Sequence, residues 1–105
     1  MEKNLYSMKG KVCLITGGST GLGSYIAHGF LVAGASRVYI TARSRDNLVN
    51  KKNELEKISD GECIAIKSDL SSLDGVNKLV SEIRAREQHI DVLVNNAGIG
   101  LGTPI

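Results

Sequence analysis

A glycine-rich stretch directly after an apolar run most constrains how this chain can fold. The run Val12–Ile15 is followed by Thr16-Gly17-Gly18-Ser19-Thr20-Gly21-Leu22-Gly23, and helically spaced apolar residues come next. This order predicts a buried strand, a sharp turn and a helix. The first N–H groups of a helix have no intrahelical partner, and the helix dipole favours negative charge there. We therefore expect the phosphates of a dinucleotide at this turn.

The rest of the sequence alternates predicted strands and helices. Predicted strands cover 11–16, 37–42, 62–67 and 90–94. Predicted helices cover 21–33, 44–58 and the segment after Ser71, whose pairing with Asp74 resembles a capping box. Alternation of this kind predicts the α/β class: an incomplete Rossmann-type, doubly wound parallel sheet with strand order 3-2-1-4 and helices on both faces.

Single residues refine this expected domain. Residues 1–8 are predicted to be a flexible N-terminal arm, and 9–105 the first part of a dinucleotide-binding domain, truncated after its fourth strand. Gly34 is expected to end the first helix and Ser44 to cap the second. The first helix is expected to carry its apolar residues on one face, namely Leu22, Tyr25, Ile26, Phe30 and Ala33.

Composition excludes several classes of function. The 105 residues carry a net charge of +2, which gives no strong attraction to nucleic acid or membrane. The apolar runs are too short to span a bilayer, and residues 1–10 lack a signal-peptide core, so a cytoplasmic protein is expected. Cys13 and Cys63 are predicted to be core residues of the first and third strands. One strand should lie between them, which places them beyond the reach of a disulfide bond, so both thiols should be reduced. No metal site is expected, and His28 and His89 are interpreted as lone surface residues.

Three motifs together resemble the N-terminal half of a short-chain dehydrogenase/reductase. They are Thr16-Gly17 to Gly23, Asp69-Leu70 and Asn95-Asn96-Ala97-Gly98, at the predicted ends of strands one, three and four. The resemblance covers about residue 8 to the end. It implies that the glycines seat a pyrophosphate and that Asp69 accepts a hydrogen bond from adenine. The cofactor-binding residues it implies are Gly17, Ser19, Thr20, Gly21, Leu22, Gly23, Asp69, Leu70, Asn96, Ala97 and Gly98.

Two positions in the three motifs have other interpretations. Asp69 could instead be a helix-entry residue whose side chain accepts from a backbone N–H, and both roles could hold together. Asn95 is better interpreted as structural, tying the fourth strand to its neighbour.

The end of the second strand favours NADP(H) over NAD(H). An NAD site needs a carboxylate about 20 residues past the glycines to bind the ribose 2′-hydroxyl. That position here is Ala42, followed by Arg43. A guanidinium binds a 2′-phosphate through charge-assisted hydrogen bonds, and Ser44 and Arg45 could assist. The alternative is that Arg43 and Arg45 simply begin a solvated helix.

The catalytic residues that the resemblance implies are absent. The resemblance implies a catalytic Ser and a catalytic Tyr-x-x-x-Lys pair. In this chain, the residues four positions after Tyr6, Tyr25 and Tyr39 are Gly10, Gly29 and Arg43, so no tyrosine is followed by the required lysine. The sequence therefore predicts the NADP(H)-binding portion of an oxidoreductase that transfers hydride between nicotinamide and an alcohol or carbonyl substrate. The alternatives are an inactive truncated nucleotide-binding or interaction module and an unrelated α/β nucleotide-binding domain. A substrate would be bound only by a full-length form, which in this family is usually homo-oligomeric.

Overall fold

The computed structural model describes residues 7–18 and 21–96, which form one parallel sheet with helices on both faces. Its strands are ordered β3-β2-β1-β4. The predicted α/β class, Rossmann-type topology and strand order are thus confirmed. The elements are β1 (Val12–Thr16), α1 (Gly21–Val32), β2 (Arg37–Ala42), α2 (Arg45–Leu55), β3 (Glu62–Lys67), α3 (Leu73–Arg86) and β4 (Val92–Asn95).

Helix ends follow the sequence signals with small corrections. Gly34 adopts φ +103° after α1, as a glycine ending a helix should, and Ser44 accepts a hydrogen bond from the Asn47 N–H at the start of α2. The predicted Ser71–Asp74 capping box is wrong by one residue. Ser72 caps α3 by accepting from the Gly75 N–H at 3.1 Å, because the Ser71 hydroxyl is already bonded to Asp69.

One face of the sheet packs against α1 and α2. Cys13, Val38 and Cys63 lie side by side in the registers of β1, β2 and β3, and all three are fully buried. Two strand spacings, about 9–10 Å, separate the cysteines, and both thiols are free as predicted. Burial raises the pKa of Cys13 to about 11 and that of Cys63 to about 12.

The apolar face predicted for α1 is partly wrong. Leu22 and Tyr25 are 62% and 74% exposed, whereas the helix buries the small residues Gly23, Ser24 and Ala27 together with Leu31. The reason is close packing: a Cβ at Gly23 would overlap the carbonyl oxygen of Gly17. The start of α1 therefore turns small residues inward and larger ones outward.

The opposite face of the sheet is covered by α3 alone among the described elements. Leu79 and Ile83 are its buried residues, and they pack with Leu14 and Tyr39 of the sheet. Val76 and Val80 of the same helix are 37% and 43% exposed. The face is therefore only partly covered between α3 and β4.

The C-terminus of α3 is fixed to the sheet by a carboxylate. Glu87, whose side chain is 6% exposed, accepts hydrogen bonds from the Arg37 guanidinium at 2.5 and 2.8 Å and from the Tyr39 hydroxyl at 2.6 Å. Nearby, His89 is exposed as predicted but not alone, because its Nε2 lies 3.2 Å from an oxygen of Asp91. No helix in the described ranges is long and apolar enough to cross a membrane.

Candidate functional site

The glycine turn lies at the carboxyl end of β1, and β2 and β4 are the strands on either side of β1. Gly17 and Gly21 adopt φ +73° and +59°, conformations that favour glycine. The N–H groups of Gly17 and Gly18 both donate to the Thr41 carbonyl, at 2.8 and 3.1 Å, which fixes the turn to the end of β2. Ser19 and Thr20, predicted to contact the cofactor, lie outside the described residues.

The ends of β1 and β4 are joined by hydrogen bonds around Thr16. Its hydroxyl donates to Asn95 Oδ1 at 3.1 Å and accepts from the Asn96 N–H at 2.9 Å. Asn95 thus has the structural role expected of it. The Asn96 amide donates to the Gly17 carbonyl at 3.2 Å, so it reaches the glycine turn itself. The predicted site residues Ala97 and Gly98 lie outside the described residues.

Close packing explains why α1 begins with a small residue at its third position. A Cβ at Gly23 would overlap the Gly17 oxygen and stand 2.9 Å from Asn96 Nδ2. Gly21 has open space where its Cβ would be, and Leu22 is exposed beside it. The first turn of α1 therefore lies directly against the glycine turn, with its leading N–H groups at the same edge of the sheet. Such an arrangement suits a phosphate.

At the end of β2, Ala42 is followed by an exposed arginine. Arg43 forms no ion pair with any carboxylate in the described ranges, while the salt bridges that do occur there involve other residues. A cation at a sheet edge with no carboxylate partner is able to accept an anionic ligand.

At the end of β3, Asp69 is exposed and held by its own turn. Its Oδ1 accepts from the Ser71 N–H at 3.0 Å and from the Ser71 hydroxyl at 2.6 Å. These two hydrogen bonds, with a smaller contribution from the positive charge of Arg43, lower the pKa of Asp69 below its ordinary value. The helix-entry interpretation of Asp69 is thus realised in the structure. Leu70 is half-buried and packs against the core under α3.

A cavity of about 820 Å³ connects these strand ends. At the carboxyl edge of the sheet its lining includes Gly17, Arg43, Asp69 and Leu70. It continues between α3 and the sheet, where apolar residues such as Leu14 and Leu93 line it. Gly23 and Asn96 adjoin it through their contacts with Gly17, whereas Gly21 and Leu22 lie outside its lining. The structure therefore brings four predicted site residues to one cavity and two more to its border.

Two residues with a part in this site were not predicted from the sequence. The carbonyl of Thr41 holds the glycine turn, and Gly75 lies so close to Asp69 that a Cβ there would overlap the Asp69 carbonyl oxygen. A backbone carbonyl leaves no trace in residue identity, and Gly75 lies in a segment predicted to be helix. No group of three residues able to hold a metal ion occurs among residues 7–18 and 21–96.

A doubly wound sheet with a glycine turn at its strand-order switch point defines a Rossmann-type domain. Residues 11–105 match the family model described as short chain dehydrogenase, and the chain belongs to that family.

Curated relatives cover nearly all of this chain but are much longer. The chain is 40% identical over 100 residues to the rhamnolipids biosynthesis 3-oxoacyl-[acyl-carrier-protein] reductase of Pseudomonas aeruginosa, covering 95% of this chain and 38% of the relative. It is 38% identical over 106 residues to 2-dehydro-3-deoxy-D-gluconate 5-dehydrogenase of Formosa agariphila, covering 100% of this chain and 39% of the relative. The chain thus spans about two fifths of the length of these relatives.

Solved structures of the same kind superpose well. The RhlG/NADP active-site complex of Pseudomonas aeruginosa has a TM-score of 0.83 at 40% identity, with 90% of this chain and 37% of that chain covered. L-sorbose reductase of Gluconobacter frateurii, complexed with NADPH and L-sorbose, has a TM-score of 0.85 at 34% identity, with 95% of this chain and 38% of that chain covered. Both structures are described as complexes with NADP or NADPH.

Proposed function

We propose that this chain is the NADP(H)-binding portion of a short-chain dehydrogenase/reductase, an oxidoreductase acting on an alcohol or carbonyl substrate. The observation that carries the proposal is the arrangement at the carboxyl edge of the sheet. A glycine turn, the Arg43 guanidinium and the carboxylate of Asp69 all line one cavity. Two relatives of similar fold are described as complexes with NADP and NADPH.

The residues present are compatible with such a cofactor. Gly17, Gly21 and Gly23 give the pyrophosphate access to the start of α1, where Leu22 and, in our proposal, Ser19 and Thr20 contact it. Asp69 accepts a hydrogen bond from the adenine amino group. We further assign Leu70 to the adenine ring and Asn96, Ala97 and Gly98 to the adenosine and ribose path, although the Asn96 amide also holds the Gly17 carbonyl.

The preference for the phosphorylated cofactor rests on Ala42 and Arg43. Alanine offers no acceptor to a ribose 2′-hydroxyl and no negative charge to repel a 2′-phosphate. The Arg43 guanidinium, without a carboxylate partner in the described part of the chain, donates charge-assisted hydrogen bonds to that phosphate.

When bound, the nicotinamide supplies or accepts the hydride exchanged with the substrate carbon. The chain itself contributes binding and orientation of the cofactor. None of its three tyrosines is followed four residues later by lysine, so we propose that these 105 residues bind cofactor without turnover. For the whole protein we further propose substrate binding, self-association and a cytoplasmic location.

Isothermal titration calorimetry with NADPH and NADH tests the assignment of Arg43. We expect the chain to bind NADPH at least about ten-fold more tightly, which is the scale of one hydrogen-bonded charge pair. Arg43→Ala should bring the NADPH affinity close to that of NADH. Arg86→Ala, which removes the same charge at the far end of α3, is the matched control. Equal affinities of the wild-type chain for the two cofactors would contradict the assignment.

A further inference from the structure

The carboxylate of Asp69 is held asymmetrically. Both hydrogen bonds from Ser71, at 3.0 and 2.6 Å, converge on Oδ1. Within residues 7–18 and 21–96, Oδ2 has no hydrogen-bond or ion-pair partner. Asp69 is exposed and lines the cavity. One carboxylate oxygen is therefore fixed by the chain while the other is free for a ligand.

The backbone of Asp69 is fixed as well. The first turn of α3 packs directly against it, since a Cβ at Gly75 would overlap the Asp69 carbonyl oxygen. The same turn is held by the hydrogen bond from the Gly75 N–H to the Ser72 hydroxyl. With its backbone and Oδ1 both held, the side chain has little freedom left, and the direction of Oδ2 is set before any ligand arrives. Preorganised groups bind more strongly because less conformational entropy is lost on binding.

We propose that Ser71 is a positioning residue for nucleobase recognition, which orients Asp69 so that Oδ2 faces the exocyclic amino group of adenine. This inference rests on the proposed function. An ionised carboxylate only accepts hydrogen bonds, so it pairs with an amino group and repels a carbonyl oxygen at the same position. A nucleotide with hypoxanthine in place of adenine presents that carbonyl. The Ser71–Asp69 pair thus confers selectivity for adenine as well as affinity.

The experiment compares NADP⁺ with nicotinamide hypoxanthine dinucleotide phosphate by calorimetry on the full chain. Wild-type protein is expected to prefer NADP⁺ by at least about ten-fold. Ser71→Ala should lower this ratio by about three- to ten-fold, as the loss of one hydrogen bond predicts. Ser71→Thr keeps the hydroxyl and should restore the ratio. Ser81→Ala is the matched control, because it removes the same group from an exposed position further along α3 that does not line the cavity.

Each outcome decides the inference. A ratio that falls in Ser71→Ala, returns in Ser71→Thr and is unchanged in Ser81→Ala supports it. A wild-type chain that binds both nucleotides equally, or a Ser71→Ala variant with the wild-type ratio, overturns it while leaving NADP(H) binding intact. An equal fall in Ser81→Ala also overturns it, since the loss of any hydroxyl near α3 would then have the same effect. Failure to bind either nucleotide overturns the proposed function and this inference together.

Discussion

Substituting Glu87 by glutamine tests whether one buried carboxylate anchors α3 to the sheet. Glu87 accepts two hydrogen bonds from Arg37 and one from Tyr39, which is 1% exposed. Glutamine keeps the size of the side chain but removes its charge and replaces one acceptor with a donor. Arg37 Nε and the Tyr39 hydroxyl both donate to Oε2, so an amide oxygen at that position leaves the amide NH2 facing Arg37 Nη2, a donor against a donor.

The expected magnitude follows from the burial of each partner. A hydrogen bond to a charged group contributes about 1.5–3 kcal/mol, and the bond from buried Tyr39 is of this kind. The Arg37 side chain is 36% exposed, so we assign its pairing no more than about 1 kcal/mol. Because glutamine retains one acceptor, we expect Glu87→Gln to lower the free energy of unfolding by about 2 kcal/mol. For a domain of this size that corresponds to a fall in Tm of roughly 8–16 °C.

The effect should depend on pH in a defined direction. The hydrogen bond from Arg37, followed by that from Tyr39, holds the pKa of Glu87 below its ordinary value. Its stabilisation is therefore fully present above the unfolded-state pKa and is lost as the pH falls through the lower folded-state pKa. The difference between wild type and Glu87→Gln should shrink as the pH falls below the ordinary Glu pKa of about 4.3, and it should vanish only below the lowered folded-state pKa, where both side chains are neutral.

Urea unfolding followed by far-ultraviolet circular dichroism measures these differences. Glu82→Gln is the matched control, because Glu82 is an exposed residue of the same helix and forms no salt bridge among the described residues. That control should change the free energy of unfolding by less than about 0.5 kcal/mol. If Glu87→Gln were no more destabilising than Glu82→Gln at pH 7, the anchoring role of Glu87 would be refuted.

Three further predictions concern packing, the thiols and catalysis. Gly23→Ala should abolish measurable NADPH binding in calorimetry because the new Cβ would overlap the Gly17 oxygen. Gly29→Ala, which has open space on the same helix, should bind NADPH normally, and equal affinities of the two variants would contradict the prediction. Cys13 and Cys63 should resist a thiol reagent at pH 8 in the native state and both react in denaturant, since burial raises their pKa values to about 11 and about 12; rapid native labelling would show an open core. NADPH oxidation with carbonyl compounds should be undetectable for the 105 residues, and measured turnover would contradict the proposal that they bind cofactor without catalysis.

The sequence predicted the fold well because its signals are local and mutually consistent. An apolar run followed by glycines forces the strand, turn and helix at residues 12–23, and alternation of strands and helices then restricts the sheet to few topologies. The cap at Ser44 and the helix end at Gly34 were also predicted, since both depend on the conformation of a few neighbouring residues. The capping position before α3 was wrong by one residue, because Ser71 and Ser72 are chemically identical and only the position of Asp69 distinguishes them.

What sequence alone determined is therefore the order of the elements and the chemistry available at their ends: the glycines, Arg43 and Asp69. Only the tertiary structure shows which of these groups already have hydrogen-bond or packing partners within the chain. Only packing of α1 against the turn shows why Leu22 and Tyr25 face outward and Gly23 inward. The hydrogen bonds of Thr16, Asn96 and Glu87 join residues 48 to 80 positions apart, a separation that no local pattern encodes. Local conformational preferences are set by neighbours in the chain, whereas the orientation of a binding group is set by whatever packs against it.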